Sequence, residues 1–159
     1  MHRVLESFRI TRLGEAWDTA VGRLRARAVG ASVLPERLPA ARSYLLSGAP
    51  CKRSGDVRFG AIDSASELLG FCDLRLRDGY VQYLFTAPEQ RGSGVGTALL
   101  ARAQRECGGP IWLLAHAVND RSVLWYLRRG FRITGGHSER WHGADVVWLR
   151  LARERAQPA

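Results

Sequence analysis

The chain has 159 residues, 46% of them apolar, and a formal charge of +9. That length suits a single domain with a buried core, taken here as residues 1–159 with a core from about 8 to 151 and frayed termini. The apolar share excludes a disordered chain. Lys52 is the only lysine among the cations, a bias that the GC-rich codons of a bacterial source produce without any nucleic-acid partner.

The arginines are scattered, with no basic run and no zinc-finger or aromatic RNA-binding signature, so no nucleic-acid partner is expected. No apolar run reaches bilayer length, and MHRVLESFRITRL lacks the apolar stretch of a signal peptide. A cytoplasmic protein without a membrane partner is the expectation. Cys51, Cys72 and Cys107 are widely spaced, and His2, His116, His137 and His142 form no paired motif, so neither a disulfide framework nor a metal site is expected.

In chain order, Leu13, Trp17, Ala20, Val21 and Leu24 recur at helical spacing and predict a helix from Leu13 to Arg27. Pro35 suits the first turn of a second helix through ERLPAARSYLL, which Pro39 breaks or shifts. SGAPCKRSGD reads as a loop. Three strands follow, VRFGAI, LLGFCDLRL and YVQYLF, separated by turn signals at Asp63-Ser64 and Asp78-Gly79, which predicts an antiparallel meander.

Val95, Leu99, Leu100 and Ala103 then mark a helix that Gly108-Gly109-Pro110 stops. IWLLAHAV is a buried strand, and NDRSVLWYLRRG is a helix capped by Asn119 and ended at Gly130. FRITGG and DVVWLRLA form a closing hairpin around HSERWHG, with a frayed tail from Arg153. The expected fold is α/β (α+β), one mixed and mostly antiparallel sheet. A right-handed crossover places YVQYLF and IWLLAHAV parallel in it.

The stretch PEQRGSGVGTALL puts three glycines where a helix begins. Glycine lets ligand oxygens approach the backbone, and the unpaired N–H groups of a helix start favour an anion. No lysine follows Gly96, which excludes the nucleoside-triphosphate loop, and Thr97 stands where a dinucleotide fingerprint needs glycine. A simple mobile turn is the competing account.

RGSGVG resembles the R/Q-x-x-G-x-G/A motif of the GCN5-related N-acetyltransferases (GNAT) through Arg91, Gly94 and Gly96. NDRSVLWYLRRGF is similar to that family's second signature through Asn119, Tyr126, Gly130 and Phe131, with Trp125 in place of a smaller aromatic. The two motifs are joined by a helix and a strand, which makes the pair more specific than either alone.

The resemblance implies two splayed central strands, YVQYLFTA and IWLLAHAV, with acetyl-CoA in the gap and no metal. It places the backbone of Leu84, Phe85 and Thr86 along the pantetheine arm. The amides of Arg91, Gly92, Ser93, Gly94, Val95, Gly96 and Thr97 fall on the pyrophosphate, and Asn119 on the pantetheine, a role compatible with helix capping. Tyr126 becomes the general acid for the departing thiolate, the alternative being a core aromatic.

The reaction implied is direct attack of a primary amine on the thioester. The base is open between His116, on the same strand face as Leu114, then Asp73, then ordered water; the alternative for His116 is a core histidine with a backbone partner. The acceptor wall is expected between residues 29–38, Tyr80–Tyr83 and HSERWHG, with Tyr83 and Trp141 as candidate covers. The acceptor itself, small molecule or peptide, is open, as is a monomer or homodimer. An acyl-CoA-binding sensor without turnover is the alternative to an enzyme.

Overall fold

The computed structural model describes residues 7–47 and 57–155. The loop expected over SGAPCKRSGD falls, apart from Ser47, outside them, as do His2, Cys51 and Lys52. Seven strands form one sheet in the order β1-β2-β3-β4-β5-β7-β6. They are β1 (Phe8–Arg12), β2 (Val57–Asp63), β3 (Leu68–Arg75), β4 (Tyr80–Thr86), β5 (Ile111–His116), β6 (Arg132–Trp141) and β7 (Ala144–Arg153). The helices are α1 (Asp18–Gly30), α2 (Leu34–Arg37), α3 (Arg42–Leu45), α4 (Val95–Cys107) and α5 (Asp120–Leu127). Every strand contact is antiparallel except β4 with β5.

Strand alternation sorts the core between the two sheet faces. Phe59, Cys72, Leu74 and Val81 pack with Val95, Leu99, Leu100 and Ala103 of α4. Ile62 and Phe71 pack with Val21 and Leu24 of α1. A third cluster joins Val29, Leu34, Leu38 and Leu45 to Ala144 and Val146 of β7. Of the helical spacing read in the sequence, Val21 and Leu24 fall on the buried stripe of α1, and Val95, Leu99, Leu100 and Ala103 on that of α4.

Some boundaries differ from the expectations. β1 has no sequence-predicted counterpart, because five residues give too short an alternation; its ladder with β2 holds it at the sheet edge. The first helix starts later than Leu13, which instead donates its N–H to the Arg58 carbonyl at 2.8 Å and extends the pairing with β2. Pro39 does break the second helix, leaving α2 and α3 with a 3-10 turn at Pro39–Ala41 between them. The closing hairpin is longer than FRITGG and DVVWLRLA. HSERW continues β6, and the turn is His142-Gly143, both at positive φ (45° and 82°), the geometry that fits a two-residue hairpin. Arg153 is not frayed: it pairs with Ile111, and its guanidinium donates to Gln104 Oε1 and the Arg129 carbonyl.

The relation of β4 to β5 matters most. They pair only at Tyr80 and Trp112, at the start of both strands. On its other side β4 follows β3, but the register shifts between Asp73↔Tyr83 and Leu74↔Val81, so that Gln82 is an extra residue. A bulge of this kind bends its strand. Beyond it β4 leaves β5, and the sheet opens into a cleft.

Candidate active site

The cleft holds a cavity of about 390 Å³. One wall is β4 from Tyr80 to Phe85, and the other is β5 from Leu113 to His116. Asn119, Ser122 and Tyr126 of the α5 segment complete that side. Arg25, Tyr44, Glu139, Trp141 and Trp148 also line it.

The glycine turn follows β4 directly. Gly92 and Gly94 have φ of 78° and 89°, a region side chains avoid, and a Cβ at either would meet nothing within 4 Å. They are glycines for backbone conformation and leave open space outside. Gly96 differs: a Cβ there would lie 3.0 Å from Cζ2 of Trp125, so its role is close packing of α4 on α5. Trp125, the departure from the family's usual aromatic, thus fills the space that Gly96 leaves. α4 begins at Val95, and the first-turn amides of Val95, Gly96 and Thr97 have no acceptor within the helix. Arg91 is exposed and reaches the Ala31 carbonyl at 3.4 Å. Arg129 lies 3.7 Å over the Trp125 ring and donates to Thr97 Oγ1.

α5 is built as its sequence implies. The Asn119 side chain accepts from the Ser122 amide at 3.4 Å, and Gly130 ends the helix at φ 85°. Asn119 is therefore a cap that also lines the cavity. The Tyr126 ring meets Trp125 and Phe131 edge-on, at 5.0 and 5.3 Å. Burial, and secondarily nearby Cys72, push its phenol well above the ordinary range against the opposing pull of Arg129. Tyr126 holds its proton at neutral pH.

His116 is 8% exposed, and its Nδ1 is buried with no partner. The core histidine satisfied by a backbone group is therefore not what is found. Its ring stacks on Trp148 and meets Trp141 edge-on. Burial lowers its pKa from 6.5 to about 4.

Asp73 does not line the cavity. Both its oxygens are taken by Arg58, at 2.6 and 2.8 Å, and both side chains are buried. Arg58 also bonds Asp18 at 3.0 Å. This candidate base is a structural ion pair; sequence could not show that β2 and β3 set Arg58 opposite it.

Glu139 and Trp141 lie in the HSERWHG stretch expected at the acceptor wall, whereas Arg25, Tyr44 and Trp148 are cavity residues outside every stretch expected there. One signal existed. Arg25 falls on the buried stripe of α1 with Val21, Leu24, Ala28 and Val29, an unusual place for an arginine.

Residues 56–133, from β2 to the start of β6, match the acetyltransferase (GNAT) domain model. The chain belongs to the GNAT acetyltransferases. No curated protein sequence matches it. Solved GNAT structures share the fold across almost the whole chain. A GCN5-related N-acetyltransferase from Rhodopseudomonas palustris aligns over 97% of this chain and 99% of its own, with 15% identity and a TM-score of 0.75. Apo YjaB from Escherichia coli aligns over 92% and 97%, at 21% identity and TM-score 0.73. The PaiA N-acetyltransferase of Thermoplasma acidophilum, solved with coenzyme A, aligns over 93% and 99%, at 18% identity and TM-score 0.67. The GNAT match makes this chain an acyltransferase, and the splayed β4–β5 cleft is the candidate site for its reaction.

Proposed function

We propose that the protein transfers an acetyl group from acetyl-CoA to a primary amine by direct attack. The observation that carries this reading is the meeting of three features at one cleft: the edge of β4 where it splays from β5, the glycine turn at its end, and Tyr126 on the cavity wall. The pantetheine arm lies along Leu84, Phe85 and Thr86, as an added strand does on a free sheet edge. The pyrophosphate takes the amides from Arg91 to Thr97, and Asn119 faces the arm.

The neutral amine attacks the thioester carbonyl carbon. The C–N bond forms, the C–S bond breaks, and the sulfur leaves with the electron pair of that bond. Tyr126, kept protonated by burial, gives its proton to the sulfur. The attacking nitrogen loses one proton, which the His116 imidazole accepts. A base whose pKa is about 4 is deprotonated throughout the neutral range, so it is always available but never strong. Holding amine and thioester together in the cleft therefore supplies most of the acceleration.

The test is a thiol-release screen with acetyl-CoA against chemically diverse amines. Thiol release dependent on one amine class is expected. Tight CoA binding without release from any amine would instead fit an acyl-CoA-binding module.

A further inference from the structure

Two arginines among the described residues are buried, and their surroundings differ. Arg58 has carboxylates from Asp73 and Asp18. Arg25 is 6% exposed and lines the cavity on its acceptor wall, yet it takes part in none of the ion pairs among the described residues. Its Nη2 donates to Ser47 Oγ at 3.3 Å, and its guanidinium lies 5.5 Å over the Tyr44 ring. Its Nε is buried with no acceptor at all.

A guanidinium stays charged at every relevant pH and presents a planar fork of donors that matches a carboxylate. Leaving such a charge buried without an opposite one is costly, so a counter-charge belongs beside it. The same cavity carries the opposite sign elsewhere: Glu139, held by a 2.7 Å bond from Trp148 Nε1, faces the space lined by His116. The cavity is bipolar, with a cation on α1 and a carboxylate on β6.

We propose that Arg25 binds a carboxylate of the acceptor, so that the substrate is a small amine bearing a carboxylate, with its amino end toward Glu139 and His116. This rests on the acetyl-transfer reading above. It disfavours polycationic acceptors such as polyamines and aminoglycosides, which Arg25 repels. Once the carboxylate is seated, the buried charge is neutralised. The acceptor's nitrogen is the nucleophile, and Arg25 fixes the other end of the molecule.

The experiment compares the proteinogenic amino acids with their carboxamides, pair by pair, at saturating acetyl-CoA. Thiol release gives kcat/KM for each. Tryptophan fluorescence of the CoA-loaded protein gives binding without requiring turnover, since Trp141 and Trp148 line the cavity. For at least one pair the acid is preferred by about 10- to 100-fold, the range of a charge-assisted hydrogen bond or two. Arg25→Gln brings that ratio to near one, and Arg25→Lys, which keeps the charge but not the fork, leaves it in between. CoA affinity stays as in the parent protein.

Carboxamides equal to or better than every acid overturn the proposal. So does a ratio that survives in Arg25→Gln, or a loss of CoA affinity as large as the loss of acceptor binding. If the glutamine variant is unfolded by circular dichroism, the lysine variant alone decides by the same ratio. Acid-selective binding with no thiol release from any amine removes the acetyl-transfer reading but keeps Arg25 as the carboxylate site. Thiol release from neutral amines alone does the reverse.

Discussion

The imidazole of His116 lies on the indole of Trp148, with ring centroids 3.9 Å apart and planes 25° from parallel. The two residues face each other across β5 and β7. This sandwich keeps water from the imidazole and holds it neutral, and that has a consequence for the fold itself.

His116 has a folded-state pKa of about 4 against 6.5 when unfolded, so between those values the unfolded chain binds more protons. Stability rises with pH through that window and falls as the protein is acidified. The full loss between neutral pH and pH 4 from this group is about 3 kcal/mol. Urea unfolding of the parent and of His116→Phe at pH 7 and pH 4.5 checks it. The variant is expected to show a distinctly smaller acid destabilisation, and equal losses refute the assignment.

In catalysis, replacing His116 by Gln is expected to lower kcat about 100-fold at neutral pH, the lower range for a lost general base. The parent enzyme's acid limb, where His116 causes it, falls near pH 4 rather than 6.5. A kcat/KM profile on an amine that stays neutral well below pH 4, such as a nitroaniline, separates this from titration of the acceptor. An unchanged profile in the variant removes His116 from the reaction.

Tyr126→Phe keeps the ring contacts with Trp125 and Phe131 and removes only the hydroxyl. The expected outcome is a 100-fold or greater fall in kcat, roughly the scale of a lost general acid, with CoA affinity within about two-fold. Calorimetry with CoA and thiol release on the same preparation measure both. A parallel fall in CoA affinity would assign Tyr126 to binding instead.

Gly94 and Gly96 are predicted to fail differently. Gly94→Ala forces a side chain to φ 89° at no steric contact, costing about 1–2 kcal/mol and distorting the turn. It is expected to weaken CoA binding by about ten-fold. Gly96→Ala presses a methyl group against Trp125, so its first effect is on thermal stability. Equal effects of both on CoA affinity would contradict these separate roles.

Asp73→Asn leaves the Arg58 guanidinium short of its principal counter-charge in a fully buried place. The loss is about 3–5 kcal/mol, as for other buried pairs broken on one side. Denaturant unfolding measures it. Any activity that survives in the folded fraction is expected to keep the parental pH profile, because Asp73 does not line the cavity and both its oxygens are held by Arg58. A shifted profile would restore Asp73 as a candidate base.

What the sequence determined by itself is the half of the cleft that the proposed function gives to the acetyl donor. The glycines, the Asn119 cap and the Tyr126 helix are encoded within short windows, because positive φ, capping and helix phase are local properties of the chain. The meander and the α4 stripe were legible for the same reason: period two and period 3.6 are read over a few residues. The tertiary structure decided the acceptor half. Arg25, Tyr44, Glu139 and Trp148 come from segments far apart in the chain and meet only because the helices after β1 pack on the β6–β7 hairpin. Strand register likewise decided that Asp73 meets Arg58 while His116 meets Trp148. A shift of one residue would have exchanged the faces, and no local pattern records which partner lies across the ladder.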